Sequence, residues 1–131
     1  MKKKTKILII EDDRDMTEAL KITLESYSYR VILAFDGVQG LQMVRKENPD
    51  LIILDLLLPR EDGVTLCCQL KQREEYAHIP ILVLTAMVRK IEETIFSTSP
   101  CSSLPADDYV TKPIQPEELL ERVKKLLDKT L

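Results

Sequence analysis

The stretch from Leu51 to Gly63 reads Leu-Ile-Ile-Leu-Asp-Leu-Leu-Leu-Pro-Arg-Glu-Asp-Gly, and it decides how the rest of the chain can fold. Its first residues form a short apolar run, which is typical of a β-strand buried on both faces. One acid, Asp55, interrupts the run, and its carboxylate would be costly to bury without a cation or a hydrogen-bond donor. In an open α/β sheet, ligands bind at the carboxyl ends of the strands. Asp55 is therefore the first candidate functional residue.

Strand-like and helix-like segments alternate along the chain, which predicts a parallel sheet with helices on both faces. The predicted strands are Ile7–Ile10, Arg30–Ala34, the run that begins at Leu51, Ile81–Thr85 and Tyr109–Lys112. Five helices are predicted between and after these strands. The first has an inner stripe of Met16, Leu20, Thr23, Leu24 and Tyr27, and the second is capped by Asp36. The third covers Val64–Glu75, the fourth covers Met87–Phe96, and the fifth begins at Pro116. Asp13 and Asp15 are alternative caps for the first helix. Ser97–Pro105 lacks periodicity and is predicted to be an irregular loop.

Length, composition and charge limit the classes of protein to consider. The 131 residues fit one domain, and 44 % hydrophobic with 31 % charged residues indicate a soluble globular chain. A net charge of −3 gives no reason to expect nucleic-acid binding or a membrane partner. No apolar run approaches a membrane span and no signal peptide is visible, so we expect a cytoplasmic protein.

The three cysteines, Cys67, Cys68 and Cys101, lack the spacing of metal ligands. Adjacent Cys67 and Cys68 cannot easily bridge each other. We therefore expect reduced thiols, with Cys67 and Cys68 serving as core packing.

Polar residues stand at the ends of four predicted strands. They are Glu11 and Asp12 after the first strand, Asp55, Thr85 and Lys112. Because parallel strands connected in a right-handed manner end at the same edge, these side chains should lie together. Clustered carboxylates repel one another unless a hard cation lies among them, and oxygen ligands suit Mg²⁺. An ionised Asp55 could then act as a nucleophile towards phosphorus, with Lys112 and Thr85 holding the phosphoryl oxygens.

Four segments, taken in order, resemble the motifs of response-regulator receiver domains of two-component signal transduction. They are Ile-Ile-Glu-Asp-Asp, Leu-Asp-Leu-Leu-Leu-Pro-Arg-Glu-Asp-Gly, Leu-Thr-Ala and Asp-Asp-Tyr-Val-Thr-Lys-Pro. The resemblance covers nearly the whole chain and implies one receiver domain over residues 1–131. It also implies a doubly wound, flavodoxin-like fold with five parallel strands in the order 2-1-3-4-5.

The resemblance implies a role for each matching residue. Asp55 would accept a phosphoryl group from the phosphohistidine of a sensor histidine kinase or a phosphotransfer protein. Mg²⁺ would be bound by Asp12, Asp55 and the backbone carbonyl of Leu57, with Glu11 reaching it through water; Asp13 is the competing assignment. Lys112 would pair with the phosphoryl group and Thr85 would hydrogen-bond to it. Tyr109 would turn inward as Thr85 moves, and the Lys112-Pro113 peptide bond would be cis.

The simpler interpretations of these residues are structural. Glu11, Asp12 and Asp13 could merely cap a helix, Thr85 could be an ordinary strand end, and Tyr109 an ordinary core aromatic residue. Lys112 could be a solvated loop lysine. The joint occurrence of these residues at one edge favours the functional interpretation.

The chain departs from the family pattern between strands four and five. The interval from Thr85 to Lys112 is longer than usual, and Pro105-Ala106 replaces the usual Gly-Ala. We therefore expect an atypical fourth helix followed by a distinct loop. In the family, the fourth helix, strand five and final helix form the usual surface for output and dimer contacts, called the signalling face below. A homodimer through this face is one expectation, which the departure puts in doubt.

The remaining expectations concern activity and domain organisation. Apolar Leu57 and Met87 cannot orient a hydrolytic water, so the phosphorylated state should be long-lived. A pseudo-receiver that binds partners without phosphorylation is one alternative function. An aspartyl-phosphate hydrolase of the haloacid-dehalogenase kind is another, although Leu57 stands where such enzymes need a second acid. The chain could be a stand-alone receiver or part of a longer regulator whose output domain lies elsewhere.

Overall fold

The computed structural model describes residues 4–56, 63–85 and 106–129. Five parallel strands form one sheet in the order β2-β1-β3-β4-β5, which confirms the predicted fold class. The strands are β1 (Lys6–Ile10), β2 (Arg30–Ala34), β3 (Leu51–Asp55), β4 (Ile81–Thr85) and β5 (Asp108–Thr111). The described helices are α1 (Arg14–Glu25), α2 (Gly37–Glu47), α3 (Gly63–Gln72) and the C-terminal helix (Pro116–Asp128).

The sheet separates two hydrophobic cores, because successive residues of a strand face opposite sides. In β3, Ile52 and Leu54 belong to the core that faces α2 and α3. Leu51 and Ile53 belong to the core that faces α1 and the C-terminal helix. Every residue of β3 and β4 is buried, as the continuous apolar runs predicted. The sheet centre therefore holds the end of β3 between two packed layers.

The helix starts follow the sequence signals. Asp13, not Asp15, caps α1, since its Oδ1 accepts a hydrogen bond from the Met16 backbone N–H at 3.1 Å. Asp36 caps α2 in the same way, through the backbone N–H of Gln39 at 2.8 Å. Pro116 is the first residue of the C-terminal helix, as predicted.

Several details differ from the predictions. Tyr27, predicted to face inward, is 63 % exposed, and the buried positions of α1 are Thr17, Leu20 and Leu24. The third helix ends at Gln72 rather than Glu75, and the chain continues in turns, where the Arg73 carbonyl accepts the N–H of Ala77 at 2.8 Å. The fifth strand is shifted by one residue, so Lys112 follows the strand instead of ending it.

The cysteines differ from one another in chemical state. Cys67 is a buried free thiol, and burial raises its pKa to about 12, so it has little thiolate character. Cys68 is disulfide-bonded. The prediction that all three thiols are reduced is therefore wrong for Cys68, because the argument from adjacency excluded only a bridge between Cys67 and Cys68.

Three predictions fall on residues that the structure does not describe. They are the helix over Met87–Phe96, the loop over Ser97–Pro105 and the local positions of Leu57 and Met87. Among the described helices, none has the length and apolar character needed to cross a membrane.

Candidate functional site

The polar residues predicted from the strand ends do meet at the carboxyl edge of the sheet. Glu11 follows β1, Asp55 ends β3, Thr85 ends β4 and Lys112 follows β5. The strand register places Asp55 beside Leu84 and Thr85 beside Thr111, so the edge is continuous from β3 to β5. The sheet topology thus brings together residues up to 101 positions apart.

Three carboxylates form an acidic cluster at this edge. Glu11, Asp12 and Asp55 each offer a carboxylate oxygen, and these oxygens lie within 4.8 Å of one another. Glu11 and Asp55 are buried, whereas Asp12 is exposed. The cluster therefore opens to solvent at Asp12, and its oxygen-only donors suit a hard cation such as Mg²⁺.

Lys112 supplies the positive charge that makes two buried acids tolerable. Its Nζ forms an ion pair with Glu11 Oε1 and lies 3.3 Å from Asp55 Oδ2. Its backbone N–H donates to the Thr85 carbonyl at 2.8 Å, which fixes the start of the loop after β5. The Lys112-Pro113 peptide bond is cis, as predicted. The interpretation of Lys112 as a solvated loop lysine is wrong.

The acids and the lysine perturb one another electrostatically. Burial, followed by the hydrogen bond with Asp55, raises the pKa of Glu11 to about 8 despite the opposing effect of Lys112. Burial lowers the pKa of Lys112, but its hydrogen bond to Glu11 and the charge of Asp55 outweigh burial, so the net direction is upward. The crowded acids therefore hold a proton on Glu11 more tightly than an isolated glutamate would, and they favour the charged form of Lys112.

Thr85 and Tyr109 lie on neighbouring strands but in different environments. Thr85 is buried at the end of β4. Tyr109 pairs in register with Val83, two residues before Thr85, and its side chain is 58 % exposed. The interpretation of Tyr109 as a core aromatic residue is therefore wrong, because it lies on the outer surface of the edge strand.

Two features of this edge were not predicted. Gly63 begins α3 in direct contact with the backbone at the end of β3, a contact that a glycine in sequence does not reveal. The guanidinium of Arg14 lies 4.0 Å from the centre of the Phe35 ring, which joins the start of α1 to the end of β2.

Comparison with known proteins identifies the family. Residues 7–124 match the model of the response regulator receiver domain. The chain therefore belongs to the response-regulator receiver domain family, a family of signalling domains rather than of classical enzymes. The acidic cluster is typical of the Mg²⁺ site of receiver domains and consistent with a phosphorylation site.

Individual relatives agree with this assignment. The chain is 43 % identical over 127 residues to the DNA-binding dual master transcriptional regulator RpaA of Synechocystis sp., covering 95 % of this chain and 50 % of that protein. It is 40 % identical over 122 residues to the alkaline phosphatase synthesis transcriptional regulatory protein PhoP of Bacillus subtilis, covering 93 % of this chain and 48 % of that protein.

A solved structure shows the same fold. The CheY-like response regulator receiver domain protein of Methanospirillum hungatei superposes with a TM-score of 0.85 at 28 % identity, covering 98 % of this chain and 97 % of that one. By contrast, the chain spans about half the length of the curated relatives it matches.

Proposed function

We propose that this chain is a phosphoacceptor switch in which Asp55 receives a phosphoryl group from a histidine kinase or a phosphotransfer protein. The observation that carries the proposal is the position of Asp55, buried at the end of β3 with Lys112 Nζ 3.3 Å from its carboxylate. Two further carboxylates lie within 4.8 Å. This arrangement can hold a carboxylate, a phosphoryl group and a cation together.

In the proposed reaction a carboxylate oxygen of Asp55 attacks the phosphorus of a phosphohistidine. The O–P bond of an acyl phosphate forms, the N–P bond breaks, and its electron pair returns to the imidazole nitrogen. Glu11, Asp12, Asp55 and the Leu57 carbonyl would hold Mg²⁺, which when bound neutralises charge on the phosphoryl oxygens. Lys112 would move from its ion pair with Asp55 to the transferred phosphoryl group.

Thr85 and Tyr109 would couple phosphorylation of Asp55 to a change at the surface of the domain. Thr85 is buried beside the phosphoacceptor strand, and its hydroxyl can donate to a phosphoryl oxygen. Tyr109 is exposed before phosphorylation. Its inward turn would change the part of the signalling face that β5 presents, which is a shift between two states of the domain.

The partners follow from the same proposal. The kinase would bind near the exposed Asp12 side of the cluster. An output domain would lie outside these 131 residues, since the relatives RpaA and PhoP are described as transcriptional regulators and are about twice as long. We propose one receiver domain over this chain, acting in the cytoplasm, with no direct nucleic-acid or membrane contact of its own. A homodimer through the signalling face stays a prediction, tested by the solution mass with and without a phosphoryl analogue.

The decisive experiment is the intact mass after incubation with acetyl phosphate. We expect one added phosphoryl group that requires both Mg²⁺ and Asp55, with Asp55→Ala as the control. Asp50→Ala is a matched variant, because Asp50 lies at the opposite end of β3 and should leave labelling intact. A folded parent that gains no phosphoryl group would instead support the pseudo-receiver.

Phosphoryl lifetime is a second measurable part of the proposal. Leu57 and Met87 lack groups that could orient a hydrolytic water, so we propose a long-lived phosphorylated state. Decay of the labelled mass at neutral pH, measured without phosphatase, tests it. A half-life of seconds would contradict it.

A further inference from the structure

Gly63, the first residue of α3, approaches the phosphoacceptor strand more closely than any other residue type could. A Cβ atom at this position would lie 2.5 Å from the Cα of Leu56 and 2.8 Å from the carbonyl oxygen of Asp55. Both are backbone atoms, which cannot turn aside as the end of a side chain can. The Gly63 N–H also donates to the Leu56 carbonyl at 3.2 Å, so the contact is bonded as well as close.

Conformational freedom does not explain this glycine. No glycine among the described residues has a positive φ, so an alanine could adopt the Gly63 backbone conformation. Within a helix, alanine would even be favoured over glycine by about 1 kcal/mol. The reason for glycine is therefore the space between α3 and the end of β3.

We propose that Gly63 is a positioning residue for Asp55. Its missing side chain lets α3 contact the backbone of Asp55 and Leu56, which holds the Asp55 carboxylate in place beside Lys112 and the acidic cluster. The inference rests on the proposed function, because it assigns Gly63 a part in the phosphoacceptor site. Gly63 does not itself touch the reacting atoms.

The size of the effect follows from the distances. An added methyl group at Gly63 would have to push α3 and the end of β3 apart by about 1 Å to restore an ordinary contact. Asp55 Oδ2 already lies 3.3 Å from Lys112 Nζ, close to the limit of a hydrogen bond. A displacement of that size can lower a reaction rate by about 100-fold.

Gly40 provides a matched control. It lies in α2, and a Cβ there would lie 2.6 Å from Ile10 Cδ1, a clash of similar closeness. The three nearest atoms that this Cβ would meet all belong to the buried Ile10 side chain, with Cγ1 at 3.0 Å and Cγ2 at 3.2 Å, and none is a backbone atom. Gly40→Ala therefore adds a methyl group between a helix and the sheet that meets a β1 side chain instead of the backbone of Asp55 and Leu56.

The test compares Gly63→Ala, Gly40→Ala and the parent chain in two assays. Isothermal titration with Mg²⁺ alone gives the cation affinity, and intact mass over time with acetyl phosphate gives the labelling rate. We expect Gly63→Ala to weaken Mg²⁺ binding and slow labelling, each by about tenfold or more, and Gly40→Ala to change both by a smaller factor. Folded Gly63→Ala with Mg²⁺ affinity and labelling rate equal to the parent would overturn the inference.

A second measurement on the parent chain tests the inference if Gly63→Ala does not fold. Backbone amide NMR of the parent, with Mg²⁺ and beryllofluoride added, should shift the Gly63 amide resonance and slow its hydrogen exchange. The Gly40 amide, which donates to the Asp36 carbonyl, should change little. A Gly63 amide that does not respond would overturn the inference.

The two proposals fail in distinguishable ways. A parent chain that binds Mg²⁺ but is not labelled overturns the phosphoacceptor function, while the Mg²⁺ affinities still decide the role of Gly63. A parent chain that neither binds Mg²⁺ nor is labelled overturns both the phosphoacceptor function and the role of Gly63.

Discussion

Lys112 Nζ lies 3.3 Å from Asp55 Oδ2, although 57 residues separate them, and the same ammonium group pairs with Glu11. One cation therefore offsets two buried carboxylates from different strands. Because its backbone is bonded to the Thr85 carbonyl, the ammonium is held at the cluster from the β4 side. Stability and proposed chemistry consequently depend on the same side chain.

Removing Lys112 should affect both properties. In the absence of metal, Lys112→Met leaves Glu11 and Asp55 without their shared cation and should lower the free energy of unfolding by about 2 kcal/mol. Added Mg²⁺ should recover part of the loss, because it replaces the missing charge. Urea denaturation with EDTA or Mg²⁺ measures this. Lys125→Met, at an exposed position of the C-terminal helix, is the control, and equal stabilities of the two variants would contradict the prediction.

Glu11 should make metal-free stability depend on pH. Its pKa is about 8 in the folded chain and near 4.5 when unfolded, so between these values the folded state binds more protons. The free energy of unfolding should therefore fall as pH rises from about 4.5 to about 8 relative to Glu11→Gln. The contribution is fully present below the lower value and lost above the upper one.

Chemical denaturation of the parent and Glu11→Gln across this range, in EDTA, measures that difference. Mg²⁺ should reverse its sign near neutral pH, because a cation favours the ionised carboxylate. If the difference in unfolding free energy between the two chains stayed constant with pH in EDTA, the prediction would be contradicted.

Lys71 should stabilise the amino edge of the sheet, which lies opposite the acidic cluster. Its Nζ contacts the Ile79 carbonyl at 2.7 Å and Asp107 Oδ2 at 2.7 Å, and Asp107 in turn accepts the Ile81 N–H at 2.8 Å. Lys71→Met removes the donor from a mostly buried position and should cost about 2 kcal/mol. Thermal unfolding measures the cost, with exposed Lys124→Met as the control. The labelling rate of the folded Lys71→Met chain should stay within about twofold of the parent, because Lys71 lies far from the acidic cluster.

Replacing Ser28 by glycine should stabilise the folded chain. Ser28 has a φ of 68°, a left-handed conformation that costs a serine free energy. Ser28→Gly should raise the free energy of unfolding by about 0.5 to 1 kcal/mol. Ser26→Gly is the matched control and should destabilise, because Ser26 has a φ of −64° and its hydroxyl donates to the Thr23 carbonyl at 2.6 Å. Destabilisation by both substitutions would contradict the prediction.

Counting thiols tests the disulfide at Cys68. Alkylation after denaturation without a reductant should label Cys67 but not Cys68, and alkylation after reduction should label both. In the native state Cys67 should react slowly, since it is buried with a raised pKa. Three labelled thiols in the unreduced, denatured chain would contradict the bridge.

Much of the fold could be predicted because single residues carry local signals. The bounds of β2 and β4 match the prediction, and Asp36, Pro116 and the polar strand ends lie where the sequence placed them. The acidic cluster was predictable because parallel strands share an edge, which converts sequence positions into neighbours.

The remaining features depend on contacts that no local pattern encodes. Tyr27 fits a helical stripe but lies beyond the end of α1, so most of its surface is exposed. The contact of Gly63 with Asp55 and the bonds of Lys71 to Asp107 depend on how closely two elements approach. A sequence shows the residues at each end of such a contact but not the distance between them.

The amino edge of the sheet has a consequence for how such a domain can change over evolutionary time. There, Lys71 joins Asp107 and the Lys6 N–H donates to Asp50, and none of these residues belongs to the acidic cluster. Substitutions at the amino edge can therefore change the stability of the domain without altering the acidic cluster, whereas a substitution of Lys112 affects both.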